Sequence, residues 1–413
     1  MAHGNTSWTL TRDNAGRITG KTETVGGSSS TYRYSYDSVG RLRTVTKDGA
    51  LVEEYRYNAV GTRIYEMNAL RGISGRSMSY SAEDRLLTAG GATYQYDVDG
   101  YLTTKTQGGS LTTYAYSSRG ESLHVVLPDS RVIEYVHDPL GRRIAKKISG
   151  SIIEKYLWQG LTRLLAVYDG SDNLLVRFEY ADGRMPVAMT TGGATYYLAY
   201  DQVGSLRVVA DSSGTVVKRI DYDSFGNIIS DSAPSFGVPF GFAGGLYDKD
   251  TSLVRFGFRD YDPDTGRWTA KDRIFFNGGD ANLYGYVLNG PVSWVDPLGL
   301  AKGDWWDPRT YVALAFSTSV AGQGTTTSTE GVEQETATFF NLVGASLDIY
   351  IGRLPSPCDV TGEIGFGLGR HLGAGYFFGR PDAAGDMEVG GLVFHFGIGV
   401  GTPAYVGGTF PAK

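Results

Sequence analysis

The chain has 413 residues with 38 basic and 44 acidic side chains, a net charge of −6. That balance argues against a general nucleic-acid binder, so no nucleic acid is expected as a partner. The single cysteine, Cys358, excludes an intrachain disulfide and a cysteine-rich zinc site, and no cofactor is expected.

The first ten residues, MAHGNTSWTL, lack a basic stretch followed by an apolar one, so no secretory signal is readable. No run of about 18 apolar residues suggests a spanning helix. We expect either secretion without a signal peptide on this chain or a cytoplasmic location before export. The opening runs at once into a repeat, Thr11-Arg12-Asp13-Asn14-Ala15-Gly16-Arg17-Ile18, which suggests a truncated gene or a trimmed chain.

Glycine (58) and tyrosine (28) are abundant, which favours strands joined by many tight turns. One unit recurs: aromatic-Asp, two variable residues, Gly, a polar residue, then an aliphatic. Copies stand at Tyr36-Asp37-Ser38-Val39-Gly40-Arg41-Leu42, Tyr96-Asp97-Val98-Asp99-Gly100-Tyr101-Leu102, His137-Asp138-Pro139-Leu140-Gly141-Arg142 and Tyr200-Asp201-Gln202-Val203-Gly204-Ser205-Leu206. Asp followed three places later by Gly is a type I turn signature, with the carboxylate capping the turn and Gly taking positive φ. The flanks alternate large and polar residues, as in Tyr32-Arg33-Tyr34-Ser35-Tyr36, the period of half-buried strands. Each unit is therefore a β-hairpin that must stack on its neighbours, and the tyrosines are expected to pack rather than to bind sugars or bases.

From about residue 197 the pattern becomes more specific. It runs through Tyr222-Asp223-Ser224-Phe225-Gly226-Asn227, Arg259-Asp260-Tyr261-Asp262-Pro263-Asp264-Thr265-Gly266-Arg267-Trp268, Asp272 and Asn282-Leu283-Tyr284-Gly285-Tyr286 to Asp296-Pro297-Leu298-Gly299-Leu300. The repeats resemble the YD repeats of Rhs proteins and of the Tc-toxin C component, and residues 197–300 resemble the Rhs-associated core domain. The resemblance implies an all-β fold, YD hairpins forming a spiral sheet with a core plug, followed by a β-rich C-terminal domain. The domains expected are 1–196 (repeats), 197–300 (core) and 301–413 (variable cargo). The roughly 300 residues before the boundary are too few for a whole family shell, so a partial wall is expected.

The same resemblance implies self-cleavage after Leu300, at the Leu300-Ala301 bond, releasing a C-terminal effector in interbacterial or host-directed toxin delivery. Asp272 and Asp296 match the two core aspartates, and Arg259 matches an arginine that supports cleavage. Aspartate-type hydrolysis needs one carboxyl as base and one as acid, which makes this a single turnover in cis. The segment Asp272-Arg273-Ile274-Phe275-Phe276 departs from the Asp-Pro-x-Gly-Phe of many relatives, and losing Pro and Gly alters the local turn. Without the surrounding core, Asp296 before Pro297 reads as a turn residue and Arg259 as an ion-pair partner. The alternative is a degenerate cassette that folds without cutting and carries a non-enzymatic β-rich end.

Residues 301–413 hold 6 basic and 11 acidic residues and become glycine-spaced, as in Gly365-Phe366-Gly367-Leu368-Gly369, which predicts strands. His371, His395, Cys358, Asp382 and Asp386 are the residues a toxin site would draw on, but no nucleophile–base or metal spacing links them. The resemblance implies an immunity protein for this segment, and a secretion apparatus or further N-terminal shell as partners. Alternating apolar strands also raise membrane contact by this segment.

Overall fold

The structure, a computed structural model, describes residues 6–181 and 184–302, and the backbone of eight strands between residues 310 and 409. It divides into two compact units, residues 1–306 and 307–413.

The first unit is built on one antiparallel sheet of 22 strands, β1 (Thr6–Arg12) to β22 (Ile228–Asp231). Each strand pairs with the next in sequence, from Thr6↔Val25 at one end to Tyr222↔Ile228 at the other. Hairpin succession of this kind needs only local contacts, which is what a chain of similar short units supplies. Along β3 (Ser28–Tyr36), Arg33 and Ser35 are exposed while Tyr34 is buried between them, so the alternation read in the sequence is the alternation of the two faces.

The repeated turn follows from its residues. At Asp37, the carboxylate Oδ1 accepts the N–H of Val39 at 3.1 Å and of Arg41 at 3.0 Å, while Gly40 N–H donates to Asp37 O at 3.1 Å. Gly40 sits at φ +91°, where a side chain is strained. The second carboxylate oxygen is met by Arg41 Nε at 2.5 Å. Arg41 then stacks over Tyr57 of the next unit at 4.8 Å and donates to Asn58 O at 3.1 Å. Tyr57 in turn donates its hydroxyl to Leu42 O at 2.7 Å. Tyr36 makes the same bond to Ile18 O and Tyr80 to Arg63 O, both at 2.6 Å. Tyrosine is thus the stitch between successive units, an apolar ring with one polar tip that finds a carbonyl.

After β22 the chain folds a four-stranded sheet, β23 (Leu246–Tyr247), β24 (Val254–Phe256), β25 (Arg259–Asp262) and β26 (Arg267–Trp268). Its centre is an aromatic cluster of Phe242, Phe256, Tyr261, Trp268 and Tyr286. Buried ion pairs fix it to the large sheet: Arg143 to Asp260 at 2.9 Å and Lys146 to Asp248 at 2.7 Å. Removing Arg143 or Asp260 from such a pair leaves a buried charge short of a partner, which is strongly destabilising.

The second unit is a closed barrel of eight antiparallel strands. They are β27 (Thr310–Val320), β28 (Gln323–Ser328), β29 (Glu335–Thr338), β30 (Asn341–Arg353), β31 (Thr361–Leu368), β32 (Leu372–Phe378), β33 (Gly390–Gly401) and β34 (Ala404–Thr409). Gly365 faces Gly375 and Gly367 faces Gly373 across the β31–β32 ladder, so glycines gather on one face as the sequence spacing predicts. The β-rich expectation for this segment holds, and the all-β class holds for the described residues.

Candidate active site

The segment Asp296–Leu300 is built like the repeated turn. Gly299 N–H donates to Asp296 O at 3.3 Å, Gly299 sits at φ +68°, and Leu300 N–H donates to Asp296 Oδ1 at 2.9 Å. One residue differs. Where Asp37 has Arg41 four places on to neutralise its second oxygen, Asp296 has Leu300, which cannot. The second oxygen of Asp296 is left to Arg259, whose Nη2 lies 3.4 Å away. The segment is pressed against the β24–β25 turn, where Phe258 N–H donates to Leu298 O at 2.8 Å. A Cβ on Gly257 would lie 2.6 Å from Leu298 O, so only glycine admits this approach.

Arg259 is the hub. Its guanidinium stacks over Trp268 at 4.3 Å, donates to Leu283 O at 3.2 Å and to Gly299 O, and pairs with Asp272 Oδ2 at 2.7 Å. Asp272 is held by its own N–H, which donates to Leu283 O at 2.9 Å. In the turn after it, Asp272 Oδ1 accepts Ile274 N–H at 2.9 Å, and Phe275 takes φ +52° without being glycine. Arg259, Asp272 and Asp296, singled out in the sequence, therefore meet in one buried cluster with the Leu300-Ala301 bond at its edge.

The electrostatics follow from burial. Asp296 is 3% exposed, and its carboxyl is pushed up to about 6, chiefly by loss of water and further by the charge of Asp272, while Arg259 opposes the rise. Asp296 also interacts with the backbone N–H of Ala301, the nitrogen of the candidate scissile bond. Burial likewise raises Asp272 against the pull of Arg259, and lowers Arg259 itself. Leu300 is buried and Ala301 exposed, so the bond lies where the chain leaves the core.

Two further residues enter the cleft that the sequence did not single out. Gly278 lies so close that a Cβ on it would sit 2.5 Å from Leu300 O and 3.0 Å from Asp272 Oδ2. That position is therefore crowded by both the carbonyl and the carboxylate. Asp280 lines the same cleft with its carboxyl raised by burial. The Gly278-Gly279 pair and the turn-forming spacing of Asp280 and Asn282 were the available signals, and both read as an ordinary loop. Among the described residues no group of three or more His, Cys, Asp or Glu side chains is placed to hold a metal ion. Of the C-terminal residues considered for catalysis, His371, Cys358, Asp382 and Asp386 lie outside the described residues, and only the backbone of His395, in β33, is described.

A family model described as the teneurin YD-shell matches residues 4–292. Teneurin-3 of Danio rerio is 32% identical over 297 residues, covering 69% of this chain and 11% of its own. Double-stranded DNA deaminase toxin A of Burkholderia cenocepacia is 31% identical over 328 residues, covering 70% of this chain and 22% of its own. The chain therefore spans under a quarter of the length of either relative. Among solved structures, the crystal structure of TcdB2-TccC3-TEV aligns over 71% of this chain and 20% of that one, at 18% identity and a TM-score of 0.38.

Proposed function

The chain belongs to the teneurin YD-shell family of Rhs/YD-repeat proteins, and from that membership we propose that it is shell and core of a delivery protein that cuts itself once after Leu300. The observation that carries this is the pairing of two buried, raised carboxyls on one guanidinium beside that bond. Asp296, which lines one cleft with Ala301, is the acid, and Asp272, in the same cleft as Leu300, is the base. Asp272 takes a proton from water as its oxygen bonds to the Leu300 carbonyl carbon. Asp296 gives its proton to Ala301 nitrogen as the C–N bond breaks. The products are a Leu300 carboxylate and an Ala301 amine. Arg259 positions both carboxyls and, through Gly299 O, the strand that is cut.

Residues 301–413 are then a released cargo, a reading supported by the toxin named among the relatives. A cargo of this kind calls for an immunity protein in the producing cell and an export route. A second reading of the cargo, contact with a membrane, is favoured by barrel closure and by three of its eight strands, of 11 to 13 residues, being long enough for a tilted spanning strand.

Intact mass and denaturing gels test the cut. Wild type is expected to yield a break after Leu300 that disappears in Asp272→Asn and Asp296→Asn. A wild-type chain that stays whole at 44.6 kDa removes the protease reading and leaves a non-cutting structural protein.

A further inference from the structure

We propose that a cavity between the large sheet and the core, walled by four arginines, is a binding site for one oxyanion, a phosphate or a carboxylate. Its walls include Arg142, Arg143, Arg184 and Arg255, and no Asp or Glu among the described residues lines it. Arg142 is fully engaged as a repeat-turn arginine: Nε and Nη2 meet Asp138 at 2.7 and 2.6 Å, and Nη1 donates to Gly160 O at 2.9 Å. Arg143 and Arg255 are each 4% exposed and divide a single carboxylate, Asp260, at 2.9 Å on either oxygen. The Nε of each is buried with no partner among the described residues.

Arg184 is the decisive member. It donates to Ala243 O at 3.0 Å, yet its Nε is buried without a partner, and no carboxylate among the described residues comes within ion-pair distance. Among the described residues, four guanidiniums thus surround the cavity with two paired carboxylates, Asp138 and Asp260, between them. A buried guanidinium is costly to leave uncompensated, and its planar fork matches the oxygens of a phosphate or carboxylate. Gly244, at φ +72°, lets the wall close in: a Cβ there would lie 2.3 Å from Met185 Sδ and 3.2 Å from Arg184 Nη1. Burial lowers the pKa of Arg184 to about 10, as expected of a cation held without its anion. The ring of Tyr135, 3.5 Å from Arg143, accounts for that arginine but leaves Arg184 unexplained.

Pro297 forms part of the wall, so the bound anion would sit one residue from Asp296. Every residue used here precedes Leu300, so binding does not depend on whether the chain is cut.

Calorimetric titration of the full chain with inorganic phosphate, and separately with acetate, at constant ionic strength and pH 7 tests the site. One saturable site is expected, weakened at least about tenfold in Arg184→Gln and severalfold in Arg184→Lys, whose point charge cannot fork. Stronger uptake of phosphate identifies a phosphate-class ligand, and stronger uptake of acetate a carboxylate. Absence of saturable binding by both anions in wild type overturns the proposal. So does wild-type affinity in Arg184→Gln or, should that variant fail to fold by circular dichroism, in Arg184→Lys.

Discussion

Asp296 differs from the arginine-capped turn aspartates, Asp37 and Asp138, in the residue four places after it. At Asp37 and Asp138 that residue is an arginine whose guanidinium caps the outer oxygen, at 2.5 Å from Arg41 and 2.6 Å from Arg142. Leu300 removes that cap, the turn is buried, and the carboxyl rises to about 6 instead of falling as Asp37 does. A carboxyl with that value can give up a proton near neutral pH. The expected consequence is a cleavage rate that falls about tenfold per pH unit above about pH 6, as protonated Asp296 is depleted, and that also falls in acid as Asp272 loses its charge. Timed gel densitometry of chain refolded into buffers from pH 4 to 9 measures this. A rate that climbs steadily to pH 9 would contradict the role given to Asp296.

The repeating element was legible because everything that makes it is local. Asp, Gly three places on and the polar residue after it define the turn within five residues, and the alternation of Tyr32 to Tyr36 defines the strand. The stitch between units was not legible, since Tyr57 reaches Leu42 and Arg41 reaches Asn58 only after two hairpins are stacked. The same distinction divides the site. Asp296 and Asp272 stand in recognisable segments, whereas Gly278 arrives beside Leu300 through the fold of the loop and the hydrogen bond of Asp272 to Leu283. At this scale Tyr57→Phe should cost about 1 kcal/mol, because it keeps the ring under Arg41 and deletes only the hydroxyl bond to Leu42 O. The shift of the urea midpoint relative to wild type reads it, and an unchanged midpoint would show that the stitch adds no stability.

Across the first unit, core and sheet are joined by charge as well as by apolar contact, and one junction titrates. Glu53, on β5 (Ala50–Tyr57), is 2% exposed, accepts Tyr55 O–H at 2.8 Å and faces Ser224 N–H and Asp223 from the turn before β22. Asp223 is held by Asn68 and Asn227, each at 2.8 Å, with Arg71 3.9 Å away and Glu66 nearby. Burial, then the charge of Asp223, pushes Glu53 up to about 8. Because its folded pKa lies above the unfolded value, the folded state binds the extra proton. The stability this gives is complete below about pH 4.5 and is lost as pH rises through about 8. Glu53→Gln fixes the neutral form, so it should be more stable than wild type at pH 8.5 by on the order of 2–4 kcal/mol and nearly equal to it at pH 4.5. Thermal melts of both proteins at the two pH values decide it: an equal gap at each pH would mean that Glu53 acts through packing alone and that the junction between core and wall does not sense protons.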